Sequence, residues 1–226
     1  MVDFISEVEE ELRKDDYNKF LRRYGPFILG LLVAVVAYVG FLEWRDYSQT
    51  RTARAAAASY LAADELLQDG KPEQASAAFL ALADAAPDGY AGLSLMRAAV
   101  IATDAGNAAE AVRLYDAASA RFDRPRHADL AQLKSAYVLA NQGAWDDVER
   151  RADAIAGEGA PYEYLARELS ASAALNLGNT DAARERFEYL ANVPGVPDTV
   201  ARRAGQALTL LATGTSDTLP APEGTP

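Results

Sequence analysis

The chain has 226 residues, a formal net charge of −11 at pH 7 and no cysteine. The acidic balance argues against nucleic-acid binding, because a phosphate backbone requires a basic footprint. Without cysteine there is no disulfide framework and no zinc or iron–sulfur site of cysteine type. Half of the residues are hydrophobic, which is enough for a core within one or two domains.

Residues 1–24 are predicted to form a short, charged amphipathic leader on the cytoplasmic side of a membrane. Phe4, Val8 and Leu12 fall on one stripe, because residues four apart stack on the same face of a helix. Two interpretations stay open. The apolar stripe contacts a membrane partner or the lipid surface, or the segment is a charged solubilising leader.

The segment 25–42, GPFILGLLVAVVAYVGFL, is predicted to be a transmembrane helix. It holds 18 consecutive residues without a charge, which meets the lower limit for a helix that crosses a bilayer. Tyr24, Trp44 and Tyr47 lie near its ends, as in the aromatic belts of membrane interfaces. A cleaved signal peptide fits less well because no Ala-x-Ala site follows, and a buried core helix would carry more of a polar face.

Basic residues on either side of this segment predict its orientation. Five precede it, and three follow it within a similar distance: Arg13, Lys14, Lys19, Arg22 and Arg23, then Arg45, Arg51 and Arg54. The excess places the N-terminus in the cytoplasm and the C-terminal part in the periplasm of a bacterial inner membrane. Because the difference is small, a reversed topology with cytoplasmic repeats is the alternative.

A fourfold repeat lies within residues 43–212. Gly70, Gly106, Gly143 and Gly178 recur every 35 to 37 residues, close to the period of tetratricopeptide repeats. The residues five, nine and twelve positions after each glycine share one helix face, which predicts a helix, a glycine turn and a second helix in each unit. A generic alanine-rich bundle is the alternative.

Aromatic side chains are predicted to fill the space between successive repeats. They stand nine positions after the glycine in three units, as Phe79, Tyr115 and Phe187. The third unit has Ala152 there, and Trp145 from the turn is the candidate to fill the gap. The predicted fold is all-α: one transmembrane helix, then an α-solenoid of about four tetratricopeptide-like helical hairpins plus a capping helix. A tail over 213–226, rich in Pro, Gly, Thr and Ser, is predicted to be disordered.

The first helix of each pair is predicted to line the concave side of the solenoid. Its inward positions form the candidate protein-binding groove: Leu93, Met96, Val100, Leu130, Leu133, Tyr137, Leu165, Glu168 and Ser172. A mostly apolar groove suits an extended or helical segment of another protein. The alternative is that these side chains pack on neighbouring repeats.

No catalytic, cofactor or metal site is predicted. The single histidine, His127, is placed between two helices, and the sequence offers it no cysteine nucleophile. No glycine-rich phosphate loop is present either. The interpretation is therefore a protein that is not an enzyme.

The layout resembles the YfgM-like ancillary subunits of the bacterial Sec translocon. The similar stretches are residues 58–75, 89–100 and 155–187, the last of which contains the turn Gly157-Glu158-Gly159 before a repeat helix. The resemblance implies a single-span inner-membrane protein with a periplasmic tetratricopeptide-like domain. Its implied partners are the Sec translocon, periplasmic chaperones and emerging client chains, and it implies no catalytic site. The acidic leader and the low-complexity tail depart from the family.

The predicted function is a non-enzymatic, membrane-anchored interaction module that links emerging periplasmic chains to chaperones. A structural scaffold or homodimerisation subunit of another envelope complex is the alternative.

Overall fold

A computed structural model describes the backbone of residues 3–214, and the side chains of residues 22–214 except those of Gly25 and Ile28. The described part contains nine α-helices and no strand, which confirms the predicted all-α class. The chain divides into two units, Met1–Thr52 and Ala53–Pro226. The first helix, α1 (Asp3–Gln68), contains the boundary. The predicted disordered tail lies, from residue 215 on, outside the described residues.

In the first unit, the predicted leader and the predicted span are not separate helices. Pro26 lies inside α1 rather than in the first turn of a new helix. Proline removes one N–H from the helix ladder, whereas a break would leave up to four N–H and four C=O groups without helical partners. Continuation of the helix is therefore the smaller loss. The amphipathic stripe predicted on Phe4, Val8 and Leu12 falls outside the described side chains.

The predicted transmembrane helix over 25–42 is not supported by a search of the described side chains. Within them, no helix combines the length and the apolar character that crossing a bilayer requires. Gly25 and Ile28 belong to the predicted span and lie outside the residues searched.

From Leu29 to Leu42, α1 carries an apolar surface on all of its sides. Every large apolar side chain in this stretch is exposed, from 39% at Leu42 to 68% at Leu31. These consecutive positions cover the whole circumference of the helix, because one turn takes 3.6 residues.

The second unit holds four helix pairs and a final helix. The first helices of the pairs are α1 from Ala53 on, α3 (Asp88–Asp104), α5 (Pro125–Asn141) and α7 (Glu163–Asn176). The second helices are α2 (Pro72–Ala85), α4 (Ala108–Arg121), α6 (Trp145–Ile155) and α8 (Thr180–Asn192), and the final helix is α9 (Asp198–Thr213). From α2 to α9 each helix packs against the next, and α7 also contacts α5 and α9.

The four glycines that set the repeat period end the first helices in the same way. Their φ angles are +74° at Gly70, +76° at Gly106, +73° at Gly143 and +83° at Gly178, a left-handed conformation that glycine adopts without strain. In each turn the next residue's N–H bonds to the carbonyl five positions before it, as from Asn107 to Ala102 at 2.8 Å. This is the Schellman arrangement, so one turn is encoded four times.

The second helices bury the residues that the repeat pattern predicted. The small residues and aromatics are at most 4% exposed: Ala75, Phe79, Ala111, Tyr115, Val148, Ala152, Ala183 and Phe187. In the third unit, Trp145 packs against the cluster that contains Val148 and Ala152. The core therefore continues through the unit that lacks the aromatic.

Gly92 is required by a close approach inside the second repeat. A Cβ at this position would lie 2.6 Å from Cε1 of Phe122. We expect Gly92→Ala to lower the free energy of unfolding by about 1 kcal/mol, since overpacking costs about 1–3 kcal/mol and the better helix propensity of alanine offsets about 1 kcal/mol.

Gly89→Ala is the matched control, because a Cβ there meets nothing within 4 Å in the same helix. This variant should be stabilised by up to about 1 kcal/mol. Urea unfolding of the full chain, followed by circular dichroism, measures both. Equal unfolding free energies for the two variants would contradict the packing argument.

Candidate protein-binding face

Six of the nine predicted groove residues are at least partly exposed, and together they are here called the first-helix face: Leu93, Met96 and Val100 on α3, Leu130 and Tyr137 on α5, and Leu165 on α7. Met96, Val100, Tyr137 and Leu165 also pack in part against the core. Leu93 is the most open of them, at 43% exposure. Because α5 contacts α7, the residues on those two helices lie on neighbouring elements. Five of the six side chains are apolar.

The other three predicted groove residues, Leu133, Glu168 and Ser172, are buried, and their placement in the groove was wrong. Their exposures are 2%, 3% and 5%. Leu133 packs in a core cluster with Val148 and Leu169. Leu133 and Glu168 share the position ten residues before the turn glycine, and in these two repeats the side chain at that position is buried. The Ser172 hydroxyl donates to the backbone carbonyl of Glu168 at 2.9 Å.

Glu168 connects the last repeat to the final helix, α9. Its two carboxylate oxygens accept hydrogen bonds from Nε and Nη2 of Arg203, both at 2.6 Å. This two-pronged geometry is the strongest form of an arginine–carboxylate pair. The hydrogen bond to Glu168 raises the pKa of the Arg203 guanidinium. Since Arg203 lies on α9, the pair fastens the final helix to α7.

Three further arginine–carboxylate pairs connect successive repeats. They are Asp64–Arg97, Asp116–Arg151 and Glu149–Arg186, at 2.5, 2.5 and 2.6 Å. The residues of these pairs are separated along the chain by 33, 35 and 37 positions, and those of Glu168–Arg203 by 35. We call the four the inter-repeat ion pairs. Sequence reasoning missed them, although a carboxylate and an arginine one period apart were the signal.

A tyrosine interacts with the charges of each of two inter-repeat ion pairs: Tyr137 with Glu168–Arg203 and Tyr60 with Asp64–Arg97. The pKa of Tyr137 is raised to about 12, mainly by burial; the charge of Glu168 also raises this pKa, and that of Arg203 lowers it. Tyr60 has the same kind of surroundings. Burial raises its pKa, Arg97 lowers it and Asp64 raises it. Both phenols therefore stay neutral at physiological pH and can donate a hydrogen bond.

The raised pKa of Tyr137 predicts a late alkaline titration. A folded pKa above the unfolded value means that stability is fully present below pH 10 and is lost as pH rises towards 12. We expect the difference between the phenolate absorbance curves of the wild type and Tyr137→Phe to have its midpoint near 12. Circular dichroism at each pH checks that the chain is still folded. A midpoint near 10 in the folded protein would contradict the burial of this phenol.

His127 lies in the first turn of α5 and not between helices as predicted. Pro125 opens that helix, because proline fits the first helical position. His127 is exposed, and its ring centroid lies 5.2 Å from that of Phe122. Among the described residues, no group of three or more His, Cys, Asp or Glu side chains is arranged to hold a metal ion.

Stacked helix pairs with a repeated glycine turn define a helical-repeat protein. The chain belongs to the family described as "Tetratricopeptide repeat-like domain", whose model matches residues 18–193. Repeat folds of this kind are typically protein-interaction scaffolds, because stacked repeats form extended binding surfaces. Comparison with curated proteins and with solved structures gave no match. The family match carries no information specific to the translocon.

Proposed function

We propose that the chain is a non-enzymatic, membrane-anchored protein-interaction module that binds segments of other proteins along its first-helix face. The observation that carries this proposal is the series of partly exposed apolar side chains on three consecutive first helices, with Leu93 at 43% exposure. An apolar strip of this kind suits an extended or helical peptide.

The first-helix face is tested by a charge placed on it. Leu130 is partly exposed on α5, so Leu130→Asp should leave the fold intact and weaken binding of an unfolded, apolar-rich polypeptide by about tenfold or more, the loss expected when one leucine contact is removed. Fluorescence anisotropy with the full chain in non-ionic detergent measures the affinity. Ala154→Asp is the control, because Ala154 is exposed on the second helix α6. Unchanged affinity in folded Leu130→Asp would refute the role of this face.

The proposed anchor is the apolar part of α1 within 25–42. Supporting it is the continuous exposed apolar surface from Leu29 to Leu42, since surfaces of that kind mark contact with a membrane or another protein. The basic residues that flank the segment favour a cytoplasmic N-terminus, and the inner membrane with periplasmic repeats is the proposed location.

Anchoring and orientation can be tested with single cysteines, because the chain has none of its own. Ser6→Cys and Asp181→Cys are treated in intact spheroplasts with a thiol reagent that cannot cross the membrane. Labelling at position 181 alone supports periplasmic repeats. Labelling at position 6 alone reverses the orientation and makes the repeats a cytoplasmic docking site. Release of the chain by alkaline carbonate would refute the anchor.

The proposed partners are the Sec translocon, periplasmic chaperones and emerging client chains, on the basis of the sequence resemblance. Confinement to one membrane raises the local concentration of such partners, so weak contacts suffice. The alternative, a scaffold or homodimer, predicts a different product in photo-cross-linking from Leu93. A translocon or chaperone adduct supports the proposal, and a product of twice the chain mass supports the homodimer.

A further inference from the structure

A cavity of about 320 Å³ lies between α6, α7 and α8. The polar and aromatic side chains that line it are Asp153, Arg167, Ser170, Glu185, Arg186 and Tyr189. None of the residues of the first-helix face lines it. The cavity is therefore a separate feature of the second unit.

The two arginines of this cavity already have partners within the protein. Nη1 of Arg186 donates to the Glu149 carboxylate at 2.6 Å, and to the carbonyl and hydroxyl oxygens of Ser170 at 2.9 and 2.7 Å. Nε of Arg167 donates to the Glu163 carboxylate at 3.0 Å. The Arg167 guanidinium also lies over the Tyr189 ring, 4.8 Å from its centroid.

Unlike the two arginines, the two carboxylates that line the cavity have no ion-pair partner among the described side chains. Asp153 accepts the Ser170 hydroxyl at 2.6 Å through Oδ1, but it forms no ion pair within the described part of the chain. Glu185, an exposed residue of α8, has neither an ion pair nor a hydrogen bond among the described side chains. Glu149 and Glu163 offset the two arginines, so the charge left at the cavity is negative.

We propose that this cavity binds a basic side chain, lysine or arginine, of a protein partner. The proposal rests on the proposed interaction function and assigns it a second contact site. The cation would lie between Asp153 on α6 and Glu185 on α8, and the apolar stem would lie against Ala156, Ala182 and the Tyr189 ring, which also line the cavity.

The size and the charge of the site favour a side chain over a whole small molecule. A volume of about 320 Å³ is at the lower end of the range for small-molecule pockets, roughly 300–1,000 Å³. The net charge of −11 on the chain steers cations towards the surface, and this attraction weakens as salt is added.

Two matched peptides test the proposal, acetyl-Gly-Arg-Gly-amide and acetyl-Gly-Glu-Gly-amide. Each is titrated with the full chain in non-ionic detergent, and binding is followed by NMR of the peptide. We expect the arginine peptide to bind more tightly than the glutamate peptide. Glu185→Gln and Asp153→Asn should each weaken the binding of the arginine peptide by about tenfold, the change equivalent to the loss of one charge-assisted hydrogen bond.

Glu188→Gln is the control, because it removes the same charge from an exposed position of α8 that does not line the cavity. Glu185 is exposed and makes no hydrogen bond or ion pair among the described side chains, so Glu185→Gln breaks no such bond within the fold. Tighter binding of the glutamate peptide, no binding of the arginine peptide, or equal weakening by Glu188→Gln would overturn the proposal. The Leu130→Asp experiment is independent of this cavity, so failure here leaves the first-helix face standing.

Discussion

Replacement of Leu133 by aspartate is expected to unfold the second unit. Leu133 is 2% exposed in a cluster that joins α5, α6 and α7. The variant loses about 2–3 kcal/mol of leucine burial and adds the cost of a buried carboxylate without a partner. A total above about 4 kcal/mol is a large share of the stability of a typical domain, about 5–15 kcal/mol.

Urea unfolding of the full chain, followed by circular dichroism, measures this effect, and Leu130→Asp on the same helix is its control. Leu130 is partly exposed, so that variant should unfold close to the wild-type midpoint. Lower pH should restore some stability to Leu133→Asp, because protonation removes the buried charge. A wild-type midpoint for Leu133→Asp at neutral pH would show that the position is not interior.

Arg203→Ala is expected to lower the free energy of unfolding by about 2–3 kcal/mol, because it leaves the Glu168 carboxylate buried without its cation. The Glu168 side chain is 3% exposed and the Arg203 side chain 39%, so solvent screens part of the charge and the cost is below that of a fully buried pair. Urea unfolding provides the measurement. Arg202→Ala removes the neighbouring exposed arginine of α9 and should change stability by less than about 0.5 kcal/mol.

A double variant separates the loss of the pair from the loss of arginine packing. Glu168→Gln in the Arg203→Ala background removes the buried charge and should recover part of the lost stability. If the loss of unfolding free energy in the double variant equals the sum of the losses in Arg203→Ala and Glu168→Gln alone, Arg203 acts through its apolar stem rather than through its charge.

The period and the second-helix core could be predicted because both depend on local chemistry. A left-handed turn selects glycine, and Phe79, Tyr115 and Phe187 follow it at a fixed distance along the helix. Which side of a first helix meets the next repeat depends instead on how the pairs stack. Leu133 and Glu168 were therefore assigned to a groove although they lie inside. The continuation of α1 through Pro26 was not predicted. The preference of proline for the start of a helix is local, and it leaves out the backbone hydrogen bonds that a break in the helix would lose.

The inter-repeat ion pairs have a consequence for cooperativity. Asp64–Arg97, Asp116–Arg151, Glu149–Arg186 and Glu168–Arg203 supply one pair at each junction, from the first repeat to the final helix. In a repeat array, stability divides into a contribution within each unit and a contribution at each junction. At three of these junctions both charged side chains are partly exposed, and salt can screen their attraction. Added salt should therefore loosen the coupling between neighbours, and the unfolding transition should become broader as the repeats begin to melt separately.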